Sequence, residues 1–408
     1  MLFSYLRVVM ACALTVAPIY AESSLVVTLA SVRDRIRSQN PDLAAARLRI
    51  QEALGRMNQA GRLANPELET SFQHDPGFKE GAIEIGISQR FPITQRLRLE
   101  KEVSHTEMLA AEGEVKNVER ILAAEASSGI VEVLAIRQHK LLLDEQTGLS
   151  RSLADQLQKA AEKGEASLLD AAQIRIETLR AAAEIHHLNA SEATALGKLK
   201  PLLGMRLDEN LIVSGTLPNP TMPTANTSPL NRPDYQAARL YSLAANQNET
   251  LEQARRLDDI EGGFFLAGER LLDNPTGRRN ETAIGIRAKI TLPFWNNNQG
   301  KIEEARATRT RKQLETLALA RLIELEAEAA LGEMREWAKL TKEINTALLP
   351  LAAEHVKNTQ AAFKTGQAEL QAVLRAREQS LKLANSRIES LRGFHLARVR
   401  YQSALGQP

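Results

Sequence analysis

Two neighbouring segments near the start of the chain alternate apolar and polar residues with a period of two. This alternation is typical of β-strands with one apolar and one polar face. Their apolar positions are Leu68, Phe72, Ile83, Ile85 and Ile87. The linking sequence HDPGFKE carries a Pro-Gly turn signal, so we predict a β-hairpin with strands at about 66–74 and 81–91.

The second half of the chain repeats this pattern. In AIGIRAKITLPF, the residues Ile284, Ile286 and Ile290 alternate with Gly285, Arg287 and Lys289. We predict a second hairpin with strands at about 259–270 and 281–292, joined by the longer loop GERLLDNPTGRRN. Two strands per half are too few for a stable sheet by themselves.

Each predicted hairpin is followed by a very long helical segment, at about 95–160 and 298–363. About 65 residues in one helix would extend roughly 100 Å, which far exceeds an ordinary domain helix. The return helix of the first half repeats apolar or small residues at spacings of four and three, which is typical of a heptad seam. The seam consists of Ala172, Ile176, Leu179, Ala183, His186, Ala190, Ala193 and Gly197.

Each long segment ends at a glycine and turns into a new helix. The motif KGEASLLDAAQIRIETL contains Gly164, and its counterpart TGQAELQAVLRAREQSL contains Gly366, 202 positions later. Glycine tolerates the backbone angles of a helix end, so we predict helical hairpin tips at about 161–168 and 363–370.

Shorter matches extend the duplication to both ends of each half. NPDLAAAR and RPDYQAAR start a helix with proline and an acidic residue, and both halves close with a Leu-Gly pair. We predict a first repeat at 22–213 and a second at 231–408. The proline-rich polar stretch at 214–230 is the predicted linker.

The composition fits long helices better than one thick core. Hydrophobic residues make up 43% of the chain but aromatic residues only 4%, and alanine and leucine supply most of the apolar material. The formal charge is +2, with 52 basic and 50 acidic residues. The two signs are interspersed, whereas nucleic-acid binding needs a clustered basic face, so we expect no nucleic-acid partner.

The N-terminal residues have the pattern of an export signal. A basic residue, Arg7, precedes an apolar run from Val8 to Ala17, which Pro18 ends, and the small residue Ala21 follows, after which we predict cleavage. A buried helix, or lipid attachment at Cys12, are weaker alternatives. Cleavage after Ala21 would leave no cysteine and therefore no disulfide. No later apolar run reaches 18 residues, so an exported protein would be free in the periplasm or span an outer membrane as a β-barrel.

The sequence offers no constellation for catalysis. We find no nucleophile with its base, no phosphate loop and no cluster with metal-ligand spacing. Only His186 and His187 are adjacent, and neighbouring helical positions point too far apart for a shared site. We therefore predict no enzyme activity, no cofactor and no metal site.

Helix, β-hairpin, long helix, glycine tip and return helix, repeated once, resemble the TolC family of outer-membrane efflux ducts. The resemblance covers essentially the whole chain after the signal. It implies a mainly α fold with a small β part, in which three subunits form a twelve-stranded outer-membrane barrel continuous with a periplasmic helical barrel. It also implies three classes of partner besides outer-membrane lipid: two further copies of the chain, a periplasmic adaptor (membrane fusion protein), and an inner-membrane RND pump. The implied location is the outer membrane of a Gram-negative bacterium, extending into the periplasm.

The resemblance also assigns residues. The family carries an acidic residue six positions after the tip glycine, which here is Asp170; the second copy has Ala372 there and Glu369 nearby. The predicted periplasmic aperture therefore contains Gly164, Asp170, Gly366 and Glu369. An alternative role for Asp170 is a favourable interaction with the helix dipole. Residues of the polar strand faces are the candidates for the barrel lumen: Glu67, Glu69, Glu84, Arg287 and Lys289.

The sequence is compatible with three functions. The segment LPFWNNNQGKIEEA resembles the branch typified by CzcC, which favours export of heavy-metal cations of the Co/Zn/Cd or Cu/Ag class. A duct for organic toxicants or for type I protein secretion is an alternative. A periplasmic coiled-coil scaffold without a pore is another, and it would bury the strand isoleucines in a soluble core.

Overall fold

The computed structural model describes residues 24–163, 167–223, 229–273 and 277–407. The predicted signal peptide at 1–21 and the tip residue Gly164 lie outside these ranges, as does part of the predicted linker. Within them, no helix is sufficiently long and apolar to cross a lipid bilayer.

The described residues form two successive sets of the same elements. The first set is β1 (Ser24–Val27), α1 (Val32–Gln39), α2 (Pro41–Gln59), β2 (Glu67–His74), β3 (Gly81–Phe91), α3 (Arg96–Glu162), α4 (Leu168–Leu202) and β4 (Asn210–Val213). The second set is α5 (Pro233–Ala254), β5 (Ile260–Asp273), β6 (Gly277–Lys289), α6 (Gln299–Glu343), α7 (Leu349–Lys364) and α8 (Leu370–Ala404). Helix, hairpin, long helix and return helix thus occur twice.

The strands form two sheets. β1 and β4 make a small parallel pair that the sequence patterns did not predict. β2, β3, β5 and β6 form one antiparallel four-stranded sheet in that order, so the two hairpins join through β3 and β5. Neither β2 nor β6 has a second neighbour in the sheet. The unpaired backbone groups of two such edges require another partner.

The second hairpin differs from its prediction. The sequence places 271–280 in a loop, whereas β5 runs to Asp273 and β6 begins at Gly277. The register continues through this segment, with Leu272 opposite Arg278. Strand pairing needs only backbone donors and acceptors, so the loss of apolar alternation in this charged segment does not end the strands.

The first long helix, α3, contains 67 residues and extends about 100 Å. Its counterpart is helical without a break from Gln299 to Lys364, close to the predicted 298–363, but it is not α-helical throughout. A π-helical segment at Ile344–Leu348 separates α6 from α7, and Pro350 follows in the first turn of α7. Proline has no N–H to donate and its ring crowds the preceding turn, and such a wider turn accommodates both effects.

The four long helical elements lie side by side in the order α4, α3, α8 and α6. α2 packs on α3, and α5 packs on both α3 and α6. The largest buried cluster surrounds the middle of α3, where α1, α4, α8 and the small parallel sheet meet. The helices are therefore arranged like the strands of the sheet. The first repeat supplies one outer element, α4 or β2, and the second repeat supplies the other, α6 or β6.

Each return helix ends against the start of the helix that begins with Pro-Asp in its own repeat. This helix is α2 in the first repeat and α5 in the second. In the first repeat, Asn40 caps α2 by accepting a hydrogen bond from the Leu43 N–H at 2.8 Å, and its Nδ2 donates to the Leu202 carbonyl at 2.7 Å. A Cβ on Gly204 would lie 2.1 Å from the Gln39 carbonyl oxygen. The close approach requires a glycine.

The second repeat closes in the same way. A Cβ on Gly406 would lie 2.8 Å from the Cα of Arg232, the residue before Pro233. Arg232 is buried and forms ion pairs with Asp234 and Glu326. The Pro-Asp helix starts and the Leu-Gly ends, which are separate motifs in the sequence, therefore meet in space in both repeats.

The linker between the repeats is held through His395. Its Nε2 lies 2.9 Å from the Pro218 carbonyl oxygen, and because a carbonyl only accepts, Nε2 carries the proton. Burial lowers the pKa of His395 below its usual 6.5, with a smaller contribution from the nearby charge of Arg398. Burial therefore disfavours the protonated form of this imidazole in the folded chain, while its hydrogen bond to Pro218 opposes this shift of the pKa without reversing it.

We expect His395 to make folding sensitive to mild acid. Below pH 6.5 His395 binds a proton in the unfolded chain but not yet in the folded chain, because its pKa is lower when folded. The free energy of unfolding therefore decreases as the pH falls from 6.5 through the lowered pKa. Thermal unfolding of the detergent-solubilised protein between pH 7.5 and 5.5 should show a larger decrease in midpoint for wild type than for His395→Gln. Parallel pH curves for the two proteins would refute this role.

Candidate functional site

One face of the four-stranded sheet is apolar over three successive cross-strand rows. The register places Leu68, Ile87, Phe264 and Ile286 in the first row, Thr70, Ile85, Leu266 and Ile284 in the second, and Phe72, Ile83, Gly268 and Thr282 in the third. These side chains are exposed rather than buried in a core, with Ile284 83% and Phe72 69% accessible. An apolar patch this continuous needs a lipid or protein surface to cover it.

The opposite face of the sheet is polar and carries a charge cluster that joins the two hairpins. Arg287 of β6 donates to Glu69 of β2 at 2.7 Å and to Glu84 of β3. Glu69 also accepts from the Ser88 hydroxyl at 3.1 Å. Arg287 lies above the ring of Phe265, 5.2 Å from its centroid. The cluster crosses the whole sheet and fixes the two hairpins to each other.

The structure places all five predicted lumen residues on this polar face. Glu67 pairs with Arg90 at 3.1 Å, next to the Glu69–Arg287–Glu84 cluster. Lys289 lies opposite Glu261 at the helix-proximal end of β6, where Arg90 also approaches Glu261. That this face lines a water-filled lumen remains a prediction.

Phe265 was not predicted as a residue of this site, and it lies on the polar face in spite of its apolar ring. Gly285 is directly opposite, and a Cβ there would meet the ring at 2.3 Å. The ring therefore lies flat across β6, beneath Arg287. Its position in the strand could have indicated this face, because alternate residues point to opposite sides and Phe265 lies between Phe264 and Leu266 of the apolar face.

Both outer helices leave a face uncovered. α4 packs on α3 through Ile174, Leu188 and Leu199, whereas every position of the predicted heptad seam is exposed. At 100° per residue the seam lies on the side of α4 opposite to α3. On α6, the leucines Leu314, Leu317 and Leu325 are exposed on the side opposite to the one that packs on α8.

The two helical hairpin tips share one small apolar core. Ala171 and Ile174 of α4 pack with Leu370 of α8 and with Phe363 of α7. Between the hairpins, Gln371 donates to Gln173 at 3.1 Å. The tips therefore form one unit at the end of the helical layer.

The predicted aperture residues lie at this end. Asp170 is in the first turn of α4, which Ser167 caps through the Leu169 N–H at 3.2 Å. Within the described residues the Asp170 carboxylate has no hydrogen bond or ion pair. Glu369 is the exposed N-cap residue of α8 and does not cap the helix with its side chain. Gly366 has a φ of 71° and ends α7, as the glycine pattern indicates.

The histidines do not assemble into a site. Across the ranges that the structure covers, no group of three or more His, Cys, Asp or Glu side chains has a geometry that could hold a metal ion. His186 and His187 are both exposed on α4.

Comparison with known proteins identifies the fold. Residues 32–205 match the model of a family described as outer membrane efflux protein. The crystal structure of CusC superposes with a TM-score of 0.77 at 17% identity, covering 93% of this chain and 92% of CusC. VceC of Vibrio cholerae gives 0.74 at 17% identity over 93% and 96%, and the CmeC outer membrane channel of Campylobacter jejuni gives 0.73 at 14% over 93% and 85%. No curated protein sequence matches the chain.

The chain therefore has the mainly helical, duplicated fold of outer-membrane channels. The family match covers residues 32–205, less than half of the chain, whereas the similarity of fold extends over 93% of it. The heavy-metal branch typified by CzcC rests on the sequence resemblance alone.

Proposed function

We propose that this protein is the outer-membrane exit duct of a tripartite efflux system and exports heavy-metal cations of the Co/Zn/Cd or Cu/Ag class. The observation that best supports a duct is the open four-stranded sheet, with an exposed apolar band on one face and a charged cluster on the other. Such a sheet fits a barrel wall with lipid outside and water inside. The duct performs no chemistry on its cargo, so it needs neither a cofactor nor a catalytic residue.

A ring of three copies accounts for the open edges. Joining β6 of one copy to β2 of the next would pair every strand edge and give a twelve-stranded barrel. Closure by three copies is the arrangement that the family resemblance implies. A head-to-tail interface of this kind closes when the rotation between copies completes a circle.

The helical edges fit the same ring. The α4 seam of one copy, in which small residues fill five of eight positions, would face the exposed side of α6 in the next copy. Small residues on one helix allow a neighbouring helix with large side chains to approach closely. The same three copies would then close both the strands and the helices into rings, and the helical ring would extend from the membrane into the periplasm.

The hairpin tips are the proposed site of contact with a periplasmic adaptor and, through it, an RND pump. In a trimer, three copies of Asp170 would surround the end of the tube. A ring of carboxylates attracts cations, which supports metal cargo at this position. Glu369 would lie close by as a second acidic group.

A pore-less scaffold is not favoured. That function predicted burial of the strand isoleucines, whereas Ile83, Ile85 and Ile284 are exposed. Organic toxicants and secreted proteins would pass through the same duct, so they differ from metals only in cargo.

The cargo is tested by the susceptibility of a deletion strain to zinc, cobalt, cadmium, copper and silver salts and to dyes and antibiotics. We expect hypersensitivity to metals alone, with full complementation by the wild-type gene and recovery of the protein in the outer membrane. Sensitivity to organic compounds alone would retain the duct and exclude metal cargo. No phenotype together with a soluble periplasmic protein would refute the duct.

The acidic aperture is tested by complementation with Asp170→Asn. Removing three negative charges while keeping the side-chain shape should lower the minimal inhibitory metal concentration roughly two- to fourfold, because cation entry weakens. The matched control is Glu177→Gln, an exposed acid two turns farther along α4. Equal metal tolerance of the strains with Asp170→Asn and Glu177→Gln, at equal protein levels, would contradict an aperture role. Asp170 would then only interact favourably with the dipole of α4.

A further inference from the structure

The apolar band of the sheet ends in a cationic row at the hairpin turns. Beyond the row of Phe72 and Ile83, the same face carries His74, Gly81, Arg270 and Asn280 in one cross-strand row, and then Leu272 opposite Arg278. Successive rows on one face are about 6.6 Å apart along the strands. Two arginines therefore follow directly after the last apolar row, on the face proposed to contact lipid.

Within the described residues, neither arginine has an acidic partner. Arg270 donates only to the Asn280 side-chain oxygen, at a long 3.4 Å, and Arg278 makes no ion pair within the described residues. Both are exposed, and they occupy diagonal positions on paired strands. Diagonal neighbours on one face are about 7 Å apart at their Cβ atoms, so both guanidinium groups can reach one phosphorylated ligand.

The nearby carboxylates are engaged elsewhere. Glu269 and Glu281 are opposite each other on the polar face, away from the two arginines. Glu80 accepts from the Leu272 N–H at 3.2 Å. Asp75 accepts from three backbone N–H groups of the turn, among them Lys79 at 2.6 Å. On the face of the sheet that carries the apolar band, the strand positions beyond its last row therefore include two arginines and no carboxylate.

Aromatic rings lie beside the arginines on the same face. The Phe78 ring stacks on His74 with centroids 3.9 Å apart, and Phe72 meets His74 edge-on at 5.5 Å. Phe78 is 69% exposed and adopts a φ of 52°, which non-glycine residues rarely adopt. The turn thus holds an apolar ring at the boundary between the apolar band and the charged row. Aromatic residues at such a boundary are typical of the interface between lipid tails and headgroups.

We propose that Arg270 and Arg278, with the Phe72–His74–Phe78 stack, bind a phosphate group of a phosphorylated glycolipid in the outer leaflet. A guanidinium donates two parallel hydrogen bonds to phosphate, and the adjoining apolar rows would contact the acyl chains of the same molecule. Because a lipid supplies both parts, a free phosphate would lack half of the contacts. The inference rests on the proposed duct, which puts the helices in the periplasm and these turns at the cell surface.

The test measures lipid A binding to the purified detergent-solubilised protein by native mass spectrometry, with bisphosphorylated lipid A as the probe. The double variant R270Q/R278Q should bind at least about tenfold more weakly than wild type, since two charge-assisted phosphate contacts are lost. The control is R279Q, which removes an arginine of the opposite face that pairs with Glu281 at 2.9 Å, and it should bind like wild type. Fully dephosphorylated lipid A should bind wild type as weakly as bisphosphorylated lipid A binds the double variant.

Equal binding by wild type and R270Q/R278Q would overturn the site, as would equal competition by inorganic phosphate or by phosphatidylglycerol. Single-channel conductance in planar bilayers separates this failure from failure of the duct. If both proteins conduct alike and bind lipid A alike, only the lipid site is wrong. If wild type neither conducts nor fractionates with the outer membrane, the proposed function fails and the lipid site fails with it.

Discussion

Gly204→Ala is expected to destabilise the fold by about 2–5 kcal/mol. Gly204 has a φ of 63°, and a non-glycine residue there costs about 1–2 kcal/mol. Its new Cβ would also lie 2.1 Å from the Gln39 carbonyl oxygen, so the end of α4 and the start of α2 must separate. Such a backbone shift adds about 1–3 kcal/mol and disturbs the Asn40 cap.

The measurement is the thermal midpoint of the solubilised protein, which should fall by several degrees. Gly55→Ala is the matched control, because Gly55 lies in the exposed interior of α2 with no atom near an added Cβ, and the change should stabilise by about 0.5–1 kcal/mol. Gly406→Ala should act in the same direction as Gly204→Ala but less strongly, since its nearest contact is 2.8 Å. A Gly204→Ala midpoint equal to wild type would contradict the docking of the return helix.

Ala190→Arg is expected to abolish assembly of the trimer while leaving the protomer folded. Ala190 is exposed in the α4 seam and, in the proposed ring, faces the exposed side of α6 in the next copy. A large cation there would be buried without a partner, which costs several kcal/mol at each of three interfaces. Within one chain the substitution contacts only solvent, so the fold of the protomer is retained.

Asn189→Arg is the control, because Asn189 is exposed at the same height of α4 but lies about 100° away from the seam. Size-exclusion chromatography with light scattering should give a trimer for wild type and Asn189→Arg and a monomer for Ala190→Arg. Metal tolerance should be lost together with the trimer. A trimeric, fully active Ala190→Arg protein would show that the seam is not the interface.

The duplication and the kinds of element were predictable from the sequence. Period-two alternation around Ile85 and Ile286 indicated strands, and the glycine motif with Gly366 indicated a hairpin tip, because both signals are local. The resemblance to TolC-like ducts followed from the order of these elements, and the fold comparison confirms it at the level of fold. Bounds were less accurate where local signals failed, as in the charged end of β5 and at the π-helical segment before Pro350.

The candidate site was predictable only in part. Alternation alone assigned Glu69, Glu84 and Arg287 to one kind of face, because side-chain direction along a strand follows sequence parity. It did not show that these three residues meet, since Arg287 lies more than 200 residues from the other two. That contact depends on the β3–β5 pairing, which no local pattern encodes.

The sequence by itself determined the repeated elements, the apolar and polar strand faces, and the heptad seam, because each follows from periods of two or 3.6 residues. Only the tertiary structure decided which surfaces a single chain covers. It joined the Pro-Asp helix starts to the Leu-Gly ends, and among the described residues it left the outer edges of β2 and β6 and the α4 seam without partners. The reason is that pairing and packing depend on residues far apart in sequence, whereas periodicity records only that a face is apolar and not what it contacts.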